Sequence, residues 1–130
     1  MASAALVLVV EDEGFILALV AEALGLEGYE VLSALNGVEA TRMIEAHPAT
    51  VQALVTDVRL GGGPTGWDIA RRARETTHDL PVVYMTADSG GDWSSQGVPN
   101  SILVIKPFAM DQVLTAVSTL LNDVAAKRAS

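Results

Sequence analysis

Cysteine is absent from the 130 residues, which removes disulfides, thiolate catalysis and cysteine-based zinc sites and is neutral towards a reducing compartment. Positive charge is scarce. Eight lysines and arginines stand against 16 aspartates and glutamates, for a formal net charge of −8. Duplex DNA and anionic membrane surfaces are disfavoured as direct partners, because neither offers counter-charge and no basic stripe interrupts the acidic background. Long apolar runs are missing too: Leu6–Val10 is too short for a membrane span or a signal-peptide core, and residues 1–5 carry no basic side chain. Half of the residues are nevertheless hydrophobic, which argues for a folded globule rather than disorder. The expectation is one acidic, cytoplasmic domain over residues 1–130, frayed at 1–5 and 125–130 and too short to include a separate output module.

What is present is an alternation of short β-branched runs with helix-length segments, the pattern of βαβ units around a parallel sheet. Strands are expected at residues 6–10, 29–34, 52–56, 81–86 and 102–105. Helices are expected at 14–26, 38–46, 67–76 and 110–124, with Gly28 stopping the first. The segment 87–100 holds Gly90, Gly91, Gly97 and Pro99, so a fourth helix there is short or irregular, around 92–96. Trp93 within it reads as packing against the core, with a partner contact as the competing role. The fold class is therefore α/β, a (βα)5 doubly wound five-stranded parallel sheet of flavodoxin-like type.

Three of the runs end on charge: Glu11-Asp12-Glu13 after the first, Asp57 after the third, Lys106-Pro107 after the fifth. In an open parallel sheet the carboxyl ends of the strands share one edge, where ligands bind. Several carboxylates and one ammonium thus meet in a crevice. Carboxylates so close repel unless a hard cation neutralises them, so Mg²⁺ with oxygen ligands is expected. Asp57, at the end of the middle strand, is placed to act as a nucleophile. Glu13 reads as a helix N-terminal charge complementing the dipole. His47 and His78 stand at helix ends without ligand-spaced partners and read as surface residues. Residues 61–66 are glycine-rich but lack the Gly-Lys-Ser/Thr ending of a phosphate-binding P-loop.

With Leu8-Val9-Val10-Glu11-Asp12-Glu13, Asp57, Thr86-Ala87 and Lys106-Pro107-Phe108 in this order, essentially the whole chain resembles a response regulator receiver domain of bacterial two-component signalling, of the stand-alone type. The resemblance implies that Asp57 is the phosphoacceptor, whose carboxylate attacks the phosphorus of a phosphohistidine and becomes an acyl phosphate. Asp12, Asp57 and the backbone carbonyl of Arg59 would hold Mg²⁺, with Glu11 acting through a water. Lys106 would pair with Asp57, Thr86 would donate its hydroxyl to the phosphoryl group, small Ala87 would leave the approach open, and Lys106-Pro107 would be cis. Such a chain is not an enzyme beyond its own phosphorylation and dephosphorylation. Its partners would be a histidine kinase or histidine phosphotransfer protein, and its output protein–protein contact or service as a phosphate shuttle or sink.

Three departures from the resembled pattern stand out. Leu103 occupies the place of a common aromatic three residues before the lysine, which puts the threonine–aromatic relay in doubt. Leu60 and three glycines replace an early proline after Asp57, so that loop should be mobile. The region before the fifth strand is shortened, and together the three departures imply an output surface that is either not the usual one or made by disorder and order of residues 88–100. The first helix is apolar nearly all round, so its outer part is expected to dock a kinase, a phosphotransfer bundle or a second copy, with ordinary packing beside the last helix as the competing reading. A receiver-like binding module that is never phosphorylated is the competing function. An aspartyl phosphatase is disfavoured, because the positions two after Asp57 and Asp12 are Arg59 and Gly14 and no general acid follows.

Overall fold

The computed structural model describes residues 4–87 and 91–129. Five strands alternate with five helices: β1 (Leu6–Val10), α1 (Gly14–Leu26), β2 (Glu30–Ala34), α2 (Gly37–Ala46), β3 (Ala53–Asp57), α3 (Gly66–Thr76), β4 (Val82–Thr86), α4 (Trp93–Gln96), β5 (Ser101–Ile105) and α5 (Met110–Ala129). The strands form one sheet in the order β2-β1-β3-β4-β5, and every pairing is parallel. The order reverses between β1 and β3, the switch point at which such sheets open a crevice.

Adjacent side chains on a strand point to opposite faces, so each buried strand feeds two cores. Val7, Val9, Val55, Val83 and Met85 face Leu17, Val20 and Leu24 of α1 and Val113, Val117 and Leu120 of α5. Leu8, Val10, Leu54, Val82 and Tyr84 face Ala40 and Ile44 of α2 and Ile69, Ala70 and Ala73 of α3. Leu103, in place of the expected aromatic, packs against this second core.

Helix ends are set by local chemistry. Gly28, at φ +96°, closes α1 in a left-handed turn, with N–H groups of Gly28 and Tyr29 donating to the carbonyls of Gly25 and Leu24. Asn36 caps α2 by accepting from the Glu39 N–H, and Thr65 with Asp68 forms a reciprocal capping box on α3. α1 buries one face only: Phe15, Leu19 and Leu26 point outward, Phe15 being 77% exposed.

Two expectations need correction. The last helix does not fray after residue 124 but continues through Ala129. Lys127 and Arg128 complement the dipole in its last turn, and Arg128 forks onto Asp79 at 2.9 and 3.2 Å. Of the segment 88–100, residues 88–90 lie outside the described residues, as do 1–3 and 130 of the expected frayed ends. The described part includes the short α4, whose four residues bury no side chain. Trp93 folds back over Gly97, where a Cβ would come within 2.5 Å of the indole, and donates to Ser101 Oγ at 2.9 Å. With 36% of its surface exposed, it is a local brace rather than a core residue.

Candidate functional site

The register brings the charged strand ends together. β3 lies between β1 and β4, so Asp57, its last residue, sits beside the exits carrying Glu11 and Thr86. Oxygens of Glu11, Asp12 and Asp57 lie within 4.8 Å of one another. Lys106 reaches in from the end of β5, its Nζ donating to Glu11 Oε2 at 3.0 Å and to Asp57 Oδ2 at 3.1 Å. The Lys106-Pro107 bond is cis, as expected. Glu11 is fully buried, Asp57 nearly so, and Asp12 is exposed, so the cluster is a walled crevice open on one side.

Electrostatics follow from that geometry. Burial raises the Glu11 carboxyl from 4.5 to about 7, and the Asp57 charge adds to it. The ammonium of Lys106 and the Glu13 N–H at 3.2 Å pull the other way without restoring the ordinary value. For Lys106, burial favours the neutral form, but its bonds to Glu11 and Asp57 outweigh burial and raise its pKa. Three carboxylates against one ammonium leave an excess of negative charge at closely spaced hard oxygens. That donor set fits a small divalent cation such as Mg²⁺, which takes carboxylate oxygens readily.

The loop after Asp57 is more constrained than its glycines suggest. Val58 and Leu60 are buried beyond Asp57, while Arg59 between them is exposed. Gly66 opens α3 against Asp57 itself: its N–H donates to the Val58 carbonyl at 2.9 Å, and a Cβ there would lie 2.3 Å from the Asp57 carbonyl oxygen. A Cβ on Gly37 would likewise meet the Pro64 carbonyl at 2.3 Å. Gly61 and Gly62 face open space, so the freedom expected of the whole loop is confined to its tip.

Thr86 is 5% exposed at the end of β4, and its carbonyl accepts from the Lys106 N–H at 2.7 Å. Ala87 follows it, exposed. His47 and His78 belong to no metal-binding cluster among the described residues. Sequence reasoning missed the direct Glu11–Lys106 pair, having given Glu11 only a water-mediated role. It also missed Tyr84, fully buried on β4, whose ring lies 4.6 Å from that of Trp67 and whose hydroxyl accepts from the Val98 N–H at 3.1 Å. A tyrosine in an otherwise aliphatic buried strand was the available signal, since its hydroxyl must find a partner.

A family model described as the response regulator receiver domain matches residues 7–118. Transcriptional regulatory protein PrrA of Mycobacterium leprae is 31% identical over 120 residues, covering 89% of this chain and 49% of the relative. The chain thus spans about half the length of the curated relatives it matches. Among solved structures, a response regulator receiver protein from Sinorhizobium medicae superposes with a TM-score of 0.88 at 38% identity, covering 92% of this chain and 95% of that one. Response regulator protein TrrA from Thermotoga maritima, in complex with Mg(2+)-BeF, gives 0.78 at 29% identity, covering 89% and 98%.

Proposed function

The chain belongs to the response regulator receiver domain family, and on that premise we propose that it takes a phosphoryl group from a phosphohistidine onto Asp57 and signals through the resulting change of surface. The observation that carries this reading is the Lys106 ammonium bridging Glu11 and Asp57 at 3.0 and 3.1 Å beside the exposed Asp12. An Asp57 oxygen attacks phosphorus, a P–O bond forms, and the P–N bond breaks with its electron pair leaving on the imidazole. Lys106 stays within reach of the acceptor and balances charge on the transferred oxygens, and the Thr86 hydroxyl donates to one of them. Positioning and charge stabilisation supply most of the catalysis of such a transfer.

Asp12, Asp57 and the Arg59 carbonyl would hold Mg²⁺, with Glu11 behind a water, and the ion when bound neutralises the phosphoryl oxygens. The Mg(2+)-BeF complex of the similar TrrA supports this assignment. The donor is a histidine kinase or histidine phosphotransfer protein, and the apolar outer face of α1, with Phe15 at the mouth of the helix, is the surface offered to it or to a second copy. Chemistry beyond its own phosphorylation and dephosphorylation is not part of the reading.

Intact mass after incubation with Mg²⁺ and acetyl phosphate tests the proposal. One phosphoryl group mapping to Asp57, and lost in Asp57→Asn, is expected. An unmodified chain with the donor unconsumed would instead favour a binding module that works without phosphorylation.

A further inference from the structure

A cleft of about 700 Å³ opens at the amino edge of the sheet. Pro81, just before β4, and Ser101 and Ile102, which begin β5, line it together with the end of α3 and the last turns of α5. Asp57 and Lys106 mark the opposite edge, so a strand's length, roughly 13 Å, separates the two places. Clefts that take small molecules commonly measure roughly 300 to 1,000 Å³. Phosphoryl transfer at Asp57 makes no use of this one.

Its lining has two chemistries. Pro81 and Leu120 are buried and Ile102 and Val124 half-buried, and these four make an apolar wall. Three of the chain's eight basic residues, Arg74, Lys127 and Arg128, also line it, against two carboxylates, Asp79 and Asp123. The cleft is thus positive by one charge in a chain whose net charge is −8. Both oxygens of Asp79 already accept from Arg128. Arg74 is half-buried, and its Nε donates to the Leu80 carbonyl at 2.7 Å, a neutral acceptor. Among the described residues it forms no ion pair. Burial disfavours its charge and lowers its pKa, with the nearby Asp79 pulling the other way. A half-buried guanidinium without its own counter-ion, beside an apolar wall, is a costly arrangement unless an anion joins it.

We propose that this cleft binds a small organic monocarboxylate, its carboxylate on the Arg74 guanidinium and its apolar body against Pro81, Ile102, Leu120 and Val124. The site is independent of the phosphoacceptor reading. A planar guanidinium matches a carboxylate with two parallel N–H···O bonds, and with Nε engaged the two Nη groups are the pair that makes them. The bound anion supplies the counter-charge that Arg74 lacks, while its apolar body leaves water. Inorganic phosphate is the poorer match. Its second charge is repelled by Asp123, and it offers nothing to the apolar wall. A ligand held here joins the end of α3 to the last turns of α5, the same elements that Arg128 and Asp79 tie.

The test is a titration of the isotope-labelled chain with benzoate, followed by NMR. Saturable shifts are expected at the amides of Ser101, Ile102, Leu120 and Val124, with those around Asp57 unmoved. Benzyl alcohol has the ring without the charge, and inorganic phosphate has charge without a ring. Each should bind about tenfold more weakly than benzoate. Arg74→Gln should weaken benzoate about tenfold, the scale of a hydrogen bond to a charged group. Arg74→Lys keeps the charge but not the fork and should weaken it several-fold, and it decides the matter where Arg74→Gln does not fold. Scattered or unsaturable shifts, benzyl alcohol binding as tightly as benzoate, or full affinity in a folded Arg74 variant would overturn the proposal. Phosphate binding in the cleft as tightly as benzoate would overturn the ligand class.

Discussion

At the scale of single residues, the carboxylate to watch is Glu11. An acid whose folded pKa lies above its unfolded value binds its proton longer when folded. Its contribution to stability is then fully present below about pH 4.5 and is lost as the pH rises through about 7. Thermal melts of the metal-free chain should therefore drop from pH 5 to pH 8, and Glu11→Gln should flatten that slope. Equal slopes in the two proteins would show that Glu11 does not titrate in this window. How much of this was legible beforehand differs from residue to residue. Asp57 and Lys106 could be placed because they end apolar runs, and strand ends share an edge. The Glu11–Lys106 pair could not, because alternation fixes the face on which a side chain leaves a strand but not which of two neighbouring carboxylates a long lysine spans. Tyr84 shows the same limit, its partner Val98 being 14 positions away across an irregular segment.

Among the elements, strands and helices with strong periodicity matched their expected bounds within a residue or two, β1 and α1 fully. The miss at α5 arose from a tertiary contact: Asp79, just past α3, holds Arg128 and so keeps the last turn wound. α4 was legible only as a weakness, since a glycine-flanked stretch without apolar period reveals nothing of where its anchors lie. The cap on α3 has a measurable worth. Thr65 accepts from the Asp68 N–H at 3.2 Å while the Asp68 carboxylate accepts from the Thr65 N–H at 3.0 Å. Thr65→Ala should cost about 1 kcal/mol of stability in urea unfolding. Because α3 begins against the Asp57 carbonyl, the same change should also slow labelling by acetyl phosphate. Normal labelling in a destabilised variant would show that the helix start does not position the acceptor.

Over the whole molecule the net charge is −8, and at one sheet edge three carboxylates crowd one ammonium. A ligand that binds only the folded chain raises its midpoint by mass action. Millimolar Mg²⁺ should thus raise the melting temperature, and Asp12→Asn should remove most of that rise. A rise of the same size in Asp12→Asn would assign the effect to general screening instead. The two described ends have a practical side. β1 starts at the edge of the sheet away from the crevice, and α5, running back along the sheet, finishes there too, with Lys127 and Arg128 beside Pro81 and Ser101. A sensor chip or bead coupled near either end therefore meets the far side of every molecule. The immobilised population would present its acceptors uniformly to the flowing solution, so a single binding rate should describe an injected phosphodonor.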